Sequence, residues 1–220
     1  QVNGNRTIIS DASIGTGPAL ISPFDIAVEA DGSLVVVDFD QEAVVRVDPV
    51  SGDRTILSDA NTGSGPGFVT PQGIAVEASG DLVVTESGLE AVVRVDPVTG
   101  DRTVLSDATT GTGPAFEIPR DIAVEVTGKL VVVDSGLEAV VRVDPVTGDR
   151  TILSDANTGT GSAFGLPFGI AVEADGSLVV VDFDQDAVFR VDPVSGDRTI
   201  LSDATTGSDI VAPPAPQLPD

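Results

Sequence analysis

The stretch Ile26-Ala-Val-Glu-Ala-Asp-Gly-Ser-Leu-Val-Val-Val-Asp-Phe-Asp-Gln-Glu-Ala-Val-Val-Arg-Val-Asp-Pro-Val-Ser-Gly-Asp-Arg-Thr-Ile-Leu57 alternates strand-like runs with turn signals. Residues 26–30 form a β-rich run, and Ala30-Asp31-Gly32-Ser33 supplies a hairpin turn through its Asp-Gly pair. Residues 34–38 are short and almost wholly apolar, the pattern of a strand buried on both faces. Residues 39–42 connect them to residues 43–48, where Val45 and Val47 flank Arg46 as in a half-buried strand. In Asp48-Pro49-Val50-Ser51-Gly52 the proline presets φ and the glycine can take a left-handed position, so the chain turns. Residues 54–57 make a fourth strand.

This unit recurs. Gly-Asp-Arg-Thr begins at Gly52, Gly100, Gly148 and Gly196, each 48 residues after the last, and Gly-Asn-Arg-Thr begins in phase at Gly4. Ile-Ala-Val-Glu begins at Ile26, Ile74, Ile122 and Ile170, and Arg-Val-Asp-Pro-Val at Arg46, Arg94, Arg142 and Arg190. Four antiparallel strands in such a period make a propeller blade. A right-handed β-solenoid is the competing all-β answer, but its coils are shorter and its parallel strands need no tight hairpins. The expected fold is therefore an all-β propeller of four four-stranded antiparallel blades over residues 1–208. The repeat units start near residues 4, 52, 100 and 148. Residues 209–220 form a Pro-rich tail.

The run Leu130-Val-Val-Val-Asp-Ser-Gly-Leu-Glu-Ala-Val-Val-Arg-Val-Asp-Pro, preceded by Pro119-Arg-Asp-Ile-Ala-Val-Glu, resembles the NHL repeat. The shared features are the Ile-Ala-Val start and the Asp-Ser-Gly between second and third strands. The resemblance implies a propeller related both to non-catalytic interaction domains and to lactonase- and lyase-type enzymes. For the enzymes it implies a divalent metal held at the central channel by Glu, Asn and Asp of different blades. Two departures stand out. Where that family carries a basic or Asn-Arg pair before the third strand, this chain has Glu-Ala-Val or Asp-Ala-Val. Most of the family also closes with five to seven blades, against four repeats here.

The outer-strand sequence occurs five times, near Arg6, Arg54, Arg102, Arg150 and Arg198, although there are four copies of each other strand. Residues 5–10 and 197–202 thus compete for one place beside residues 187–192. The displaced segment is a β-former seeking an edge, which makes strand addition between copies natural. The residues expected to serve assembly are Asn5, Arg6, Ile8 and Ile9 at one end and Arg198, Ile200 and Leu201 at the other. Ile210, Val211, Pro213, Pro214 and Leu218 of the tail join them, as an extended segment lying on its own domain or on a neighbour. A head-to-tail contact that does not close makes a filament.

Composition narrows the function further. The net charge of −24, from 35 acidic and 11 basic residues, disfavours nucleic acid and anionic membranes. It suits cations, basic partners or a salty milieu. No apolar run reaches the ~20 residues that span a bilayer, so membrane insertion is not expected. Cysteine is absent, which excludes disulfides and thiolate metal sites. The chain opens with Gln1 and has no Met, as a processed mature chain would, and this points to an extracellular or cell-surface setting.

His, Tyr and Trp are also absent, and Lys129 is the single lysine. Acid–base chemistry would fall to Asp and Glu, and aromatic sugar platforms are lacking. Near-perfect repetition argues against catalysis, because catalytic groups need unlike roles. Three places break or mark the symmetry. Before Ile-Ala-Val stand Asp25, Gly73, Asp121 and Gly169; the resemblance to related propellers implies that this position lies at the mouth of the central channel, where Asp25 and Asp121 would face each other, as solvated caps or as holders of a cation such as Ca2+. The crossover loops carry Asp59 and Asn61, and Asp155 and Asn157, in an Asp-x-Asn-x-Gly pattern that fits either turn chemistry or Ca2+. Phe39 and Phe183 mark the connections of the first and last repeats, on an exposed rim or packed back on the blade. The Arg46-type and Arg54-type residues are expected to pair with nearby Asp and Glu. The expectation is a non-enzymatic, secreted interaction propeller needing no cofactor, whose partner is itself or another extracellular protein. A metal-dependent lactonase-like hydrolase and a repeat lectin or small-ligand binder are the alternatives.

Overall fold

The computed structural model describes residues 4–206. Blade 1 holds β1 (Pro23–Val28), β2 (Leu34–Asp38), β3 (Ala43–Val47) and β4 (Arg54–Ser58). Blade 2 holds β5 (Pro71–Val76), β6 (Leu82–Glu86), β7 (Ala91–Val95) and β8 (Arg102–Ser106). Blade 3 holds β9 (Pro119–Val124), β10 (Leu130–Asp134), β11 (Ala139–Val143) and β12 (Arg150–Ser154). Blade 4 holds β13 (Pro167–Val172), β14 (Leu178–Asp182), β15 (Ala187–Val191) and β16 (Arg198–Ser202). Each blade is an antiparallel sheet with its strands in chain order, and the first strands β1, β5, β9 and β13 pack in succession around a common axis. This is a four-bladed propeller.

The turns follow from local chemistry, with one shift from expectation. In blade 1 the tight turn spans residues 29–32, one residue earlier than the Asp-Gly pair suggests. The Gly32 N–H donates to the Glu29 carbonyl at 2.9 Å, and Gly32 takes the left-handed φ of 92°. That is a three-residue hairpin loop ending in a glycine bulge. At the next turn the Asp48 carboxylate accepts the N–H groups of Val50 and Ser51.

Because side chains alternate across a strand, the run Val35-Val36-Val37 feeds both faces of its blade. One face of blade 1 (Val35, Val37, Val44, Leu57) packs on the opposite face of blade 2, led by Phe68, Ile74, Leu82 and Val84. Blades 2 and 3 meet through Val83, Val92 and Leu105 against Phe116, Ile122 and Val132. Blades 3 and 4 meet through Val131, Val133 and Leu153 against Phe164, Ile170 and Val180. The core is therefore three inter-blade joints, not a single central mass.

The series stops at both ends. Blade 1 has only a small cluster on its outer face, in which Val36 and Val45 pack with Leu20 and Ile56. Ile26 is 54% exposed, whereas its counterpart Ile74 is 3% exposed. On blade 4, Val181 is 50% exposed, whereas Val133 is fully buried. Among the described residues the outward face of blade 4 is open, whereas that of blade 1 is exposed along its inner strand, at Ile26 and Val28, and buried at Val36, Val45 and Val47; β13 makes no packing on β1 comparable to that of the other inner strands.

The competition for the outer place of blade 4 resolves in favour of the C-terminal copy, since β16 pairs with β15. Residues 5–9 form no strand, and Ile8 and Ile9 are exposed.

Candidate functional site

Where the inner strands converge, a cavity of about 140 Å³ is lined by Phe24, Asp25, Gln72, Gly73, Arg120, Asp121, Phe168 and Gly169. These residues sit at equivalent positions of the four repeats, so the unlike chemistry of the cavity comes from the few places where the repeats differ. Asp25 reaches across to the next blade, where its Oδ2 accepts the Ile74 N–H at 2.7 Å. Asp121 repeats this step with Ile170 at 2.8 Å and also accepts the N–H of its neighbour Ile122 at 2.7 Å. The Gly73 and Gly169 repeats carry no side chain to do the same. At Gly73 a Cβ would lie 2.7 Å from the Asp121 Cα, so the close approach of blades 2 and 3 requires glycine.

The structure thus brings Asp25 and Asp121 together, as the sequence suggests. Burial, followed by the proximity of Asp25, pushes the Asp121 carboxyl up to about 7, against the opposing effect of the Ile170 N–H. Asp121 can hold a proton near neutral pH. The oxygen donors of the cavity are two carboxyls already engaged with backbone N–H groups, and the Gln72 amide. Arg120 stands beside them, its Nε donating to Ser135 Oγ at 3.0 Å and its guanidinium lying 5.4 Å from the Phe168 ring centroid. A hard divalent cation takes six or more oxygens, and a fixed guanidinium opposes it. Among the described residues no group of three or more metal-ligating side chains forms.

In the crossover loops, Asp59 Oδ1 accepts the N–H groups of Asn61 and Thr62, and Asp155 does the same with Asn157 and Thr158. Burial raises both carboxyls, and these N–H bonds outweigh it, so their pKa is lowered. The Asp-x-Asn pattern is realised as a turn closed on its own backbone.

A second set of carboxylates shows no signal of its own in the sequence beyond its place in the repeat. Asp38, Glu86, Asp134 and Asp182 end the second strands and are buried. Asp134 accepts N–H groups from Glu117 and Ile118 of the preceding loop and from Gly136 and Leu137 of its own connection. The Asp-Ser-Gly motif is therefore a clamp that fastens the crossover to the blade.

The arginines divide into two classes. Arg46, Arg94, Arg142 and Arg190 make bidentate pairs with Glu29, Glu77, Glu125 and Glu173, as expected. Among the described residues the Arg54 type makes no ion pair with a carboxylate. Arg102 and Arg150 are buried and donate to Ser58 and Ser106 of the previous blade and to loop carbonyls, over the rings of Phe68 and Phe116. Their role is to lock one blade to the next.

Phe39 stacks on Phe24 with centroids 5.0 Å apart, whereas Phe183 is 71% exposed. Of the residues assigned to assembly, Arg198 is buried and bonds Ser154 Oγ at 2.6 Å, and Ile200 is half-buried in the joint with blade 3. Leu201 faces the open side of blade 4. Asn5, Arg6, Ile8 and Ile9 belong to the strandless N-terminal segment, while Ile210, Val211, Pro213, Pro214 and Leu218 lie outside the described residues.

No family model and no curated protein matches this chain. Solved structures do resemble it. Virginiamycin B lyase from Staphylococcus aureus matches with a TM-score of 0.62 at 16% identity, over 84% of this chain and 56% of that one. A nidogen/laminin complex matches at 0.67 and 22%, over 81% and 64%. A putative gluconolactonase matches at 0.63 and 16%, over 87% and 68%. The chain therefore spans little more than half of the lyase and under two thirds of the nidogen/laminin chain. At these identities the likeness is one of fold, and it places the chain among the β-propellers.

Proposed function

We propose that this protein is a non-catalytic structural and interaction propeller that assembles with copies of itself through its chain ends, in an extracellular setting. One observation carries the reading. Three joints cover the apolar blade faces within the chain, and at the two ends apolar positions of the same faces stay exposed, Val181 on blade 4 and Ile26 and Val28 on blade 1. Apolar sheet faces left open at both ends of a repeat array are association surfaces. The acidic surface keeps such a chain soluble without matching nucleic acid. Light-scattering mass over a range of concentrations tests it, with electron microscopy to distinguish a closed particle from a fibre. A mass above one chain is expected, and a strict monomer at every concentration would overturn the reading.

A second reading, a metal-dependent hydrolase of the lactonase type, draws on the meeting of Asp25 and Asp121 in the axial cavity. The donor set there fits a divalent metal poorly. Metal retained after dialysis, together with turnover of simple lactones lost in Asp121→Ala, would favour it over the scaffold.

A further inference from the structure

We propose that the open face of blade 4 docks on the open face of blade 1 of a second copy, head to tail, reproducing the joint between blades 2 and 3. This rests on the self-assembly reading and names the surfaces that carry it.

The occupant follows from the repeat itself. The outward face of blade 4 presents Val181, Val188 and Leu201, where blades 1 to 3 bury the same positions against the next blade. In each joint the surface received includes the inner-strand positions that blade 1 leaves exposed, with Ile26 and Val28 in the places of Ile74 and Val76, while Val36, Val45 and Val47 of the same face are already buried in the single chain. A second copy of this chain therefore supplies a surface already matched three times within one chain.

The polar bonds of the joint have the same unfilled ends. Arg46, Arg94 and Arg142 each donate from Nη2 to a proline carbonyl of the next blade, at Pro97, Pro145 and Pro193. Arg190 makes no such bond among the described residues, and the Pro49 carbonyl of a second copy is its counterpart. The alternation before Ile-Ala-Val also runs on, because Gly169 would meet Asp25 of the second copy as Gly73 meets Asp121.

The N-terminal segment occupies part of this place. Ser10 Oγ donates to the Gly52 carbonyl at 2.6 Å, as Ser58 Oγ does to Gly100 at 2.7 Å from the end of β4. Residues 6–12 and 198–204 differ only at Ile9 against Leu201. Docking exchanges one of these outer segments for the other.

Two single substitutions test the joint. Val181→Asp spoils the blade 4 face and leaves the blade 1 face intact, and Ile26→Asp does the reverse. Both side chains are half exposed in the single chain, so each variant should keep the wild-type circular dichroism. The expected result is a light-scattering mass of one chain for each variant alone. An equimolar mixture should form a two-chain species, because one good face of each kind remains. A wild type larger than one chain with both variants unaffected would overturn this joint and leave self-assembly standing. One variant alone retaining the wild-type mass would also overturn it, in favour of like faces pairing, and so would a mixture that stays at one chain. A monomeric wild type would overturn both readings.

Discussion

Arg142 donates from Nη2 to the carbonyl of Pro193 in the following blade at 2.7 Å, while the same guanidinium grips the Glu125 carboxylate from Nε and Nη2. One side chain therefore ties its own blade to the neighbouring blade. Its counterpart Arg190 grips Glu173 but stands at the open end of the array, and both partners are more exposed there.

Arg142→Ala strands a buried Glu125 and removes the inter-blade bond, so it should lower stability by about 2–4 kcal/mol. Arg190→Ala at the solvent end should cost distinctly less in the single chain, because water screens that pair. Urea denaturation of the two variants checks the contrast, and equal midpoints would show that inter-blade contact adds nothing.

The Asp121 carboxyl, raised to about 7 by burial and by Asp25, binds its proton more tightly in the folded chain than in the unfolded one. Such a group stabilises the fold most when protonated, so its contribution declines as pH rises from about 4 to about 7. Asp25→Asn should bring the Asp121 titration down, read by carboxyl NMR shifts against pH. An unchanged midpoint would remove Asp25 as a cause.

Surface carboxylates act in the opposite sense. Asp101 is lowered by the Ser64 hydroxyl and N–H, and Asp149 likewise by Thr112. Their contribution is present above the ordinary carboxylate pKa and is lost as pH falls below it. Stability should therefore peak at mildly acidic pH, with the transition midpoint falling on both sides. The low-pH side should flatten when Asp101 and Asp149 are replaced by Asn.

Glu42, Glu90, Glu138 and Asp186 all hold a left-handed φ near 50° just before the third strand. A glutamate there carries strain that asparagine tolerates better. Glu90→Asn should raise stability by about 0.5–1 kcal/mol, and Glu90→Val should lower it by at least as much. Thermal melts of the two variants give the sign directly.

Gly111 has φ 76°, and a Cβ there would stand 2.0 Å from the Gly148 carbonyl oxygen of the same blade. Gly111→Ala should cost well over 1 kcal/mol, because neither backbone can yield without opening the crossover loop. Gly128→Ala, where φ is also positive but the space is open, should cost only the conformational strain. The difference between the two melting midpoints measures the steric part.

The repeat and its strand boundaries were legible in the sequence because both are short-range. Alternation of apolar residues and Gly, Pro and Asp turn chemistry act over a few residues, and 48-residue self-similarity multiplies the signal. The meeting of Asp25 and Asp121 was legible too, since symmetry puts equivalent positions around one axis. Other features depend on which face meets which. Nothing local distinguishes Arg46 from Arg54, yet one grips a glutamate of its own blade and the other locks onto Ser10 and carbonyls of the segment that leads into blade 1. The Asp134 clamp looks like an ordinary turn acid until the loop carrying Glu117 and Ile118 folds over it. The clearest case is Val181 beside Val133: the same residue in the same repeat context, one half exposed and the other buried. The sequence by itself determined what each blade is and which faces are adhesive. Only the tertiary structure decided which of those faces are left uncovered, because burial belongs to the neighbour a surface meets and not to the residues that form it.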